Sequence, residues 1–256
     1  MPAELEVSDQ GAARVLRISH AARKNAVDAG VLARISAEAA RATKDGVRAL
    51  VLAGKGADFC SGYDLSAVEA WDPMDPAAEL PDAPLGRACA ALEAAGPPVI
   101  AAIEGAAMGA GFELLCACDF RFAAPSAKLA LPPARLGIVY SADGIARVVR
   151  AVGLQSARQL FLRAVRLDAA AAQAMGLVEL APDPMAAALA LAEEIALLAP
   201  LAVAGMKRTL TALAPAVDGR TRIELDQLRR EAFASADAKE GRAAFLGRRP
   251  PKWTGR

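Results

Sequence analysis

The chain has 256 residues, 55% of them hydrophobic and 23% charged, which suits one large globular domain or one domain with an appendage. Its 30 Lys and Arg against 29 Asp and Glu leave a formal charge of +1, which argues against nucleic acid or a membrane surface as a partner. No stretch has the apolar length of a transmembrane helix and the start Met1-Pro2-Ala3-Glu4 is too polar for a secretion signal, so cytoplasm is the expected location.

In chain order, residues 5–7 and 14–18 alternate apolar and polar around Asp9-Gln10-Gly11 and predict an antiparallel hairpin. The loop 19–26 holds the single histidine, His20, which has no serine or cysteine partner near it and reads as a loop residue rather than a catalyst. Residues 31–42 are apolar at helical spacing, and 47–53 form a buried strand that ends in Gly54-Lys55-Gly56. The segment 59–65, F-C-S-G-Y-D-L, is a small-residue turn, with Asp64 or Ser66 expected to cap a following helix. Four prolines in 73–84 predict a surface loop, and 87–95 a helix.

The stretch 97–119, P-P-V-I-A-A-I-E-G-A-A-M-G-A-G-F-E-L-L-C-A-C-D, then carries a buried strand, a glycine-rich turn and a helix with one carboxylate, Glu113, near its start. Strands are expected at 120–124, 128–131 and 177–180, irregular chain at 132–144, and helices at 145–153, 156–164 and 168–175. From Pro184 onward the pattern is helical, interrupted at Pro200, Pro215 and Gly219. A strand–strand–helix rhythm through the first two-thirds suggests a spiral of ββα units. We divide the chain into a core, 1–195, and a helical region, 196–256.

The cysteines at 60, 89, 116 and 118 lack zinc-ribbon spacing, and with one histidine no metal site is expected; reduced, buried thiols are. Two turns, Cys60-Ser61-Gly62-Tyr63 and Met108-Gly109-Ala110-Gly111, each follow a buried strand and precede a helix. If those strands are neighbours, the N–H groups of Tyr63 and Ala110 can converge on one oxygen, as in an oxyanion hole. Glycines that merely permit tight turns are the competing reading.

The pairing of those two segments resembles the crotonase (enoyl-CoA hydratase/isomerase) superfamily. Arg23-Lys24-Asn25-Ala26, Leu136-Gly137-Ile138, Arg150-Ala151-Val152-Gly153 and the tail from Glu240-Gly241 to R-R-P-P-K-W extend the likeness in family order. The resemblance implies an α/β crotonase (ClpP-like) spiral with a C-terminal helical trimerisation region, assembling as trimers or hexamers. It implies an acyl-CoA substrate, with coenzyme A part of that substrate and no separate cofactor. It implies an enolate held by Tyr63 and Ala110, and Glu113 as the first of the family's two acid/base glutamates, kept ionised by its place at a helix start; a solvated first-turn acid is the competing reading of Glu113.

The second glutamate position holds Pro133, which can neither give nor take a proton; Ser141 stands where some relatives place an acid, and Asp143 is the next carboxylate. The segment 131–144 resembles instead methylmalonyl-CoA decarboxylases of the same family, which implies a role for Tyr140 in orienting a carboxylate; a core aromatic is the competing reading. For coenzyme A, the resemblance implies backbone contacts around Cys60 and Gly62, and phosphate contacts from Arg23 or Lys24 and, across an interface, Arg249 or Lys252. The acyl pocket floor is expected from 68–85. A family enzyme with one acid/base, a malonyl- or methylmalonyl-type decarboxylase, and a non-catalytic acyl-CoA-binding protein all remain open at this point.

Overall fold

The structure, a computed structural model, describes residues 3–64, 79–213 and 219–254. Strands β1 (Glu4–Gln10) and β2 (Ala13–Ser19) pair antiparallel across a turn where Gly11 takes a positive φ of 56°, as the alternation predicts. β2 runs parallel to β3 (Ala49–Gly54), β3 to β4 (Val99–Ile103), β4 to β6 (Phe120–Ala123) and β6 to β9 (Glu179–Leu180), in the spatial order 1-2-3-4-6-9. Helices α1 (Ala29–Arg41), α2 (Ala83–Ala94) and α3 (Ala110–Cys116) supply the crossovers that parallel neighbours need.

The continuous apolar runs are explained by burial on both faces. Leu50, Leu52, Val99, Ala101 and Ile103 join one core with the helices α1 to α3. Their neighbours Ala49, Val51, Ala53, Ile100 and Ala102 face a second core closed by Ala188, Ala192 and Ile195 of α6 (Pro184–Ala196). A second sheet joins β5 (Ala106–Met108), β7 (Lys128–Ala130) and β8 (Arg166–Asp168). β5 lies where the sequence suggested a turn, and β8 where it suggested none; three-residue strands of this kind carry no periodic pattern and exist by pairing with β7.

Residues 142–163 form α4, one element whose helical geometry breaks at Gly153 (φ 75°, ψ 160°), so the two expected helices follow each other without a loop. α5 (Ala169–Ala174) leads to β9, and α7 (Pro200–Ala212), α8 (Gly219–Ala234) and α9 (Ala236–Leu246) complete the chain. The buried ammonium of Lys207 ties α7 to the body: it donates to the carbonyls of Leu92 and Pro97 and pairs with Asp119, whose carboxylate also accepts the Val99 N–H. Among the described residues no single helix is long and apolar enough to cross a membrane. Ser66, the alternative cap, 73–78 of the proline-rich loop and 68–78 of the expected acyl floor lie outside the described residues.

Candidate active site

After β3 the chain adds to the second sheet: Cys60 N–H donates to Ala106 O at 2.9 Å, and Met108 N–H to Cys60 O at 2.9 Å. This registers the first turn against the second. A Cβ on Gly111 would stand 2.5 Å from Cys60 O, so only glycine allows the approach. Gly62 (φ +120°) and Gly109 (φ +52°) both need left-handed backbone, and a Cβ on Gly62 would lie 3.3 Å from Met108 O and 4.0 Å from Ala110 N. The Tyr63 and Ala110 N–H groups therefore sit on abutting turns. Val27 N–H donates to Gly62 O and Asp64 N–H to Val27 O, which fixes Tyr63 from both sides without using its own N–H. Neither Tyr63 N–H nor Ala110 N–H donates to an acceptor among the described residues.

Glu113 lies one turn into α3, a helix buried along its whole length, and is 2% exposed. Its Oε1 accepts a 2.6 Å hydrogen bond from Arg147 Nη1 of α4. Arg147 is itself 3% exposed, and its Nε and Nη2 donate to the two oxygens of Glu93 on α2 at 2.9 and 3.0 Å. Arg150 Nη2 donates to Glu93 Oε1 at 2.7 Å. The expectation that a helix start keeps Glu113 readily ionised is corrected here. Burial is the larger influence and Arg147 offsets it in part, leaving the carboxyl at about 7.

Around this carboxylate the start of α4 is tightly folded. Ser141 caps the helix by accepting the Gly144 N–H at 2.9 Å. A Cβ on Gly144 would meet Ser141 Oγ at 2.8 Å, Glu113 Oε1 at 2.9 Å and Tyr140 Cδ1 at 2.9 Å. Tyr140 packs its ring near Phe161, with centroids 5.5 Å apart. Its buried hydroxyl makes no hydrogen bond of regular geometry, although Glu113 is its charged neighbour. Burial first, and that charge second, hold the phenol well above its ordinary value, so it stays protonated. Asp143 is exposed at the first turn of α4.

Pro133 is buried at the start of a short 3-10 turn, Pro133–Leu136, closed by Gly137 in the left-handed region. The turn follows β7 directly, and β7 is beside the second glycine turn, since Gly109 N–H donates to Ala130 O at 2.9 Å. On its outer side the turn packs on α9: a Cβ on Gly241 would stand 2.5 Å from Leu136 O. A cleft of about 590 Å³ has Ser141, Arg147, Glu93, Asp82 and Arg229 among its walls, and Arg147 separates it from Glu113. The described part of the expected acyl floor contributes Glu79, Leu80, Asp82 and Ala83.

Asn25 explains why Arg23 and Lys24 sit where they do. Its Oδ1 accepts the His20 N–H, and its Nδ2 donates to the carbonyls of Lys55 and Asp58. Ser61 closes the joint through its N–H to Lys24 O and its hydroxyl to Arg23 O. Arg23 and Lys24 thus point outward beside the first turn, Arg23 paired with Asp64 and Lys24 Nζ 3.8 Å from Asp58. His20 is buried with Nδ1 3.3 Å from Ala26 O, a loop-holding role. Both backbone groups of Cys60 and the carbonyl of Gly62 are engaged within the protein, while the Cys60 thiol is pushed up to about 12 by burial. Arg249 pairs with Glu240, which also accepts the Lys252 N–H, so these two candidates cluster beside α9. All four cysteines are free and buried, and no group of three metal-ligating side chains occurs among the described residues.

Sequence reasoning missed Arg147 and Glu93. The available signal was an arginine inside a buried helical stripe, Gly144, Arg147, Val148 and Val152, where a charge needs a partner.

The model of the family described as enoyl-CoA hydratase/isomerase matches residues 10–256. A probable enoyl-CoA hydratase of Mycobacterium tuberculosis is 33% identical over 252 residues, covering 97% of this chain and 98% of that protein. The structure of an enoyl-CoA hydratase/isomerase from Pseudoalteromonas atlantica superposes with a TM-score of 0.85 at 29% identity, covering 98% of this chain and 99% of that one. A methylmalonyl-CoA decarboxylase structure superposes with a TM-score of 0.85 at 24% identity over 98% of both chains, a likeness of fold alone.

Proposed function

Because the chain belongs to the enoyl-CoA hydratase/isomerase family and has the crotonase fold, we propose that it stabilises a thioester enolate at the Tyr63 and Ala110 N–H groups, with Glu113 as its one acid/base. The observation that carries this reading is the pair of unused donors on abutting turns, one turn of helix from a carboxyl poised near neutrality. Donors aimed at developing negative charge are often the largest catalytic contribution, and a group titrating near the working pH can both take and return a proton. Pro133 removes the second proton-transfer group, so the reaction runs through Glu113 alone. Incubation with crotonyl-CoA tests this: hydration or isomerisation lost in Glu113→Gln supports it, and robust turnover by that variant overturns it.

A second reading, decarboxylation of a malonyl- or methylmalonyl-type CoA, is favoured by the buried Tyr140 hydroxyl, which faces Glu113 without a hydrogen bond of regular geometry. A carboxylate held there and turned out of the thioester plane would leave the same enolate behind. Carbon dioxide release lost in Tyr140→Phe tests it.

We also propose that the chain assembles as a homotrimer or a dimer of trimers through its C-terminal region. Leu197 and Leu201 are 88% and 89% exposed, and Leu210, Leu213 and Ile223 extend the uncovered apolar surface. In that assembly Arg249 and Lys252 of one protomer would reach the coenzyme A phosphates held beside Arg23 or Lys24 of another. Light scattering that shows a monomer at micromolar concentration would remove this proposal.

A further inference from the structure

A buried guanidinium is costly unless its donors are met, and Arg147 meets them on two unequal carboxylates. Glu93 takes the planar fork, with Nε at 2.9 Å and Nη2 at 3.0 Å, and Arg150 braces the same carboxylate from the next turn of α4. Such bidentate pairing fixes the plane of the guanidinium. The remaining nitrogen, Nη1, is thereby aimed at Glu113 Oε1 alone, at 2.6 Å. The Tyr140 hydroxyl also lies within hydrogen-bonding reach of the Glu113 carboxyl, without regular geometry. Gly144 reinforces the arrangement, since any larger residue would strike Oε1.

We propose that Arg147, clamped by Glu93, is the positioning residue of the site: it holds Glu113 by Oε1 and leaves Oε2 as the atom that exchanges a proton with the substrate α-carbon. The inference rests on the acid/base role of Glu113. In the forward step the α-C–H bond breaks, its proton goes to Oε2, and its electron pair moves into the thioester as the enolate; the return step reverses each movement. The groups that act on Glu113 come from every element around it: Arg147 from α4, Tyr140 and Ser141 from the loop before it, Cys89 and Glu93 from α2, Asp82 at the α2 cap, and Arg229 from α8. The Cys89 thiol is held neutral by burial. Arg147 is the larger of the two cationic influences on Glu113, Arg229 the smaller.

The test reads Glu113 directly, without substrate. Carboxyl titration is followed by carbon-13 NMR and assigned by the signal lost in Glu113→Gln. Arg147→Gln is expected to move that titration upward by about one pH unit or more. Glu93→Gln, which removes a neighbouring anion and frees Arg147 for Glu113, is expected to move it downward. In deuterium oxide, α-proton exchange into butyryl-CoA at pH 7 is expected to slow about tenfold or more in Arg147→Gln, with the pH profile displaced to higher pH and part of the rate recovered by Arg147→Lys. A folded Arg147→Gln whose titration is unmoved overturns the proposal. So does an equal loss of exchange at all pH values with no recovery by lysine. Should Arg147→Gln fail to fold by circular dichroism, Arg147→Lys and Glu93→Gln carry the same two outcomes. Calorimetry with butyryl-CoA separates this proposal from the acyl-CoA reading, which fails if the wild-type chain does not bind it.

Discussion

The two walls of the site are built on opposite terms. On one, α3 presents a carboxyl that is fully enclosed, hydrogen-bonded by a buried arginine and titrating near 7. On the other, the turn after β7 presents a proline and then a phenol without a regular hydrogen bond. The first wall has a titratable group and a fixed geometry; the second has shape and one hydroxyl that meets Glu113 only irregularly. The contrast teaches that a buried charge on one wall demands partners from two other helices, while the turns at 60–63 and 108–111 are held by backbone alone.

Breaking the first wall gives the largest expected effect. Glu113→Gln should lower turnover by about 10² to 10⁴, the range for a positioned acid/base, with KM for the thioester little changed in steady-state kinetics. The same wall sets the pH dependence. With the carboxyl at about 7, kcat/KM should rise with pH and level off above neutrality if the base form starts the reaction. Its folded value lies above the ordinary 4.5, so the folded state holds the proton more tightly. The stabilising contribution of that proton is therefore full below 4.5 and is lost as pH rises through about 7, which denaturant melts at pH 5 and pH 8 can follow.

Gly144→Ala attacks the contact between the walls. Its methyl would stand 2.9 Å from Glu113 Oε1 and 2.8 Å from Ser141 Oγ, so overpacking of about 1–3 kcal/mol is expected in a denaturation series, together with loss of turnover.

How much of this was legible from the sequence follows from what each feature depends on. The run Val99–Ile103 announced a strand because every residue in it is buried on one sheet face or the other. The glycine turns were legible because close backbone approach and positive φ exclude other residues. β5 was not, since Ala106–Met108 carries no period of its own and gains its strand geometry from β7 and Cys60. The Arg147–Glu113 pair joins residues 34 positions apart on different helices, so no local spacing could reveal it. The pairing of Asp64 with Arg23 was not legible either, since that contact is made only when the loop 19–26 folds onto the turn; the segment Asp64 was expected to cap lies outside the described residues.

Repairing the second wall should sharpen the contrast. Pro133→Glu places a carboxyl at the position that the resemblance assigns to a second glutamate, and is expected to raise crotonyl-CoA hydration by about tenfold or more, since a positioned acid/base is worth that much at least. An unchanged rate would show that the first wall alone limits the reaction. The smallest effect is expected from Tyr140→Phe. Removing a buried hydroxyl that lacks a regular partner should leave the melting temperature unchanged or slightly higher. Its effect on turnover divides the two readings: decarboxylation should fall, and hydration or isomerisation should not.

Proton exchange at the α-carbon tests the central claim most directly, because it needs the enolate and the base but no second acid. In deuterium oxide the wild-type chain should incorporate deuterium into butyryl-CoA, and Glu113→Gln should slow that incorporation about a hundredfold or more while still binding the thioester. Incorporation at the wild-type rate by the variant, or none by a wild-type chain that binds butyryl-CoA, would contradict the account.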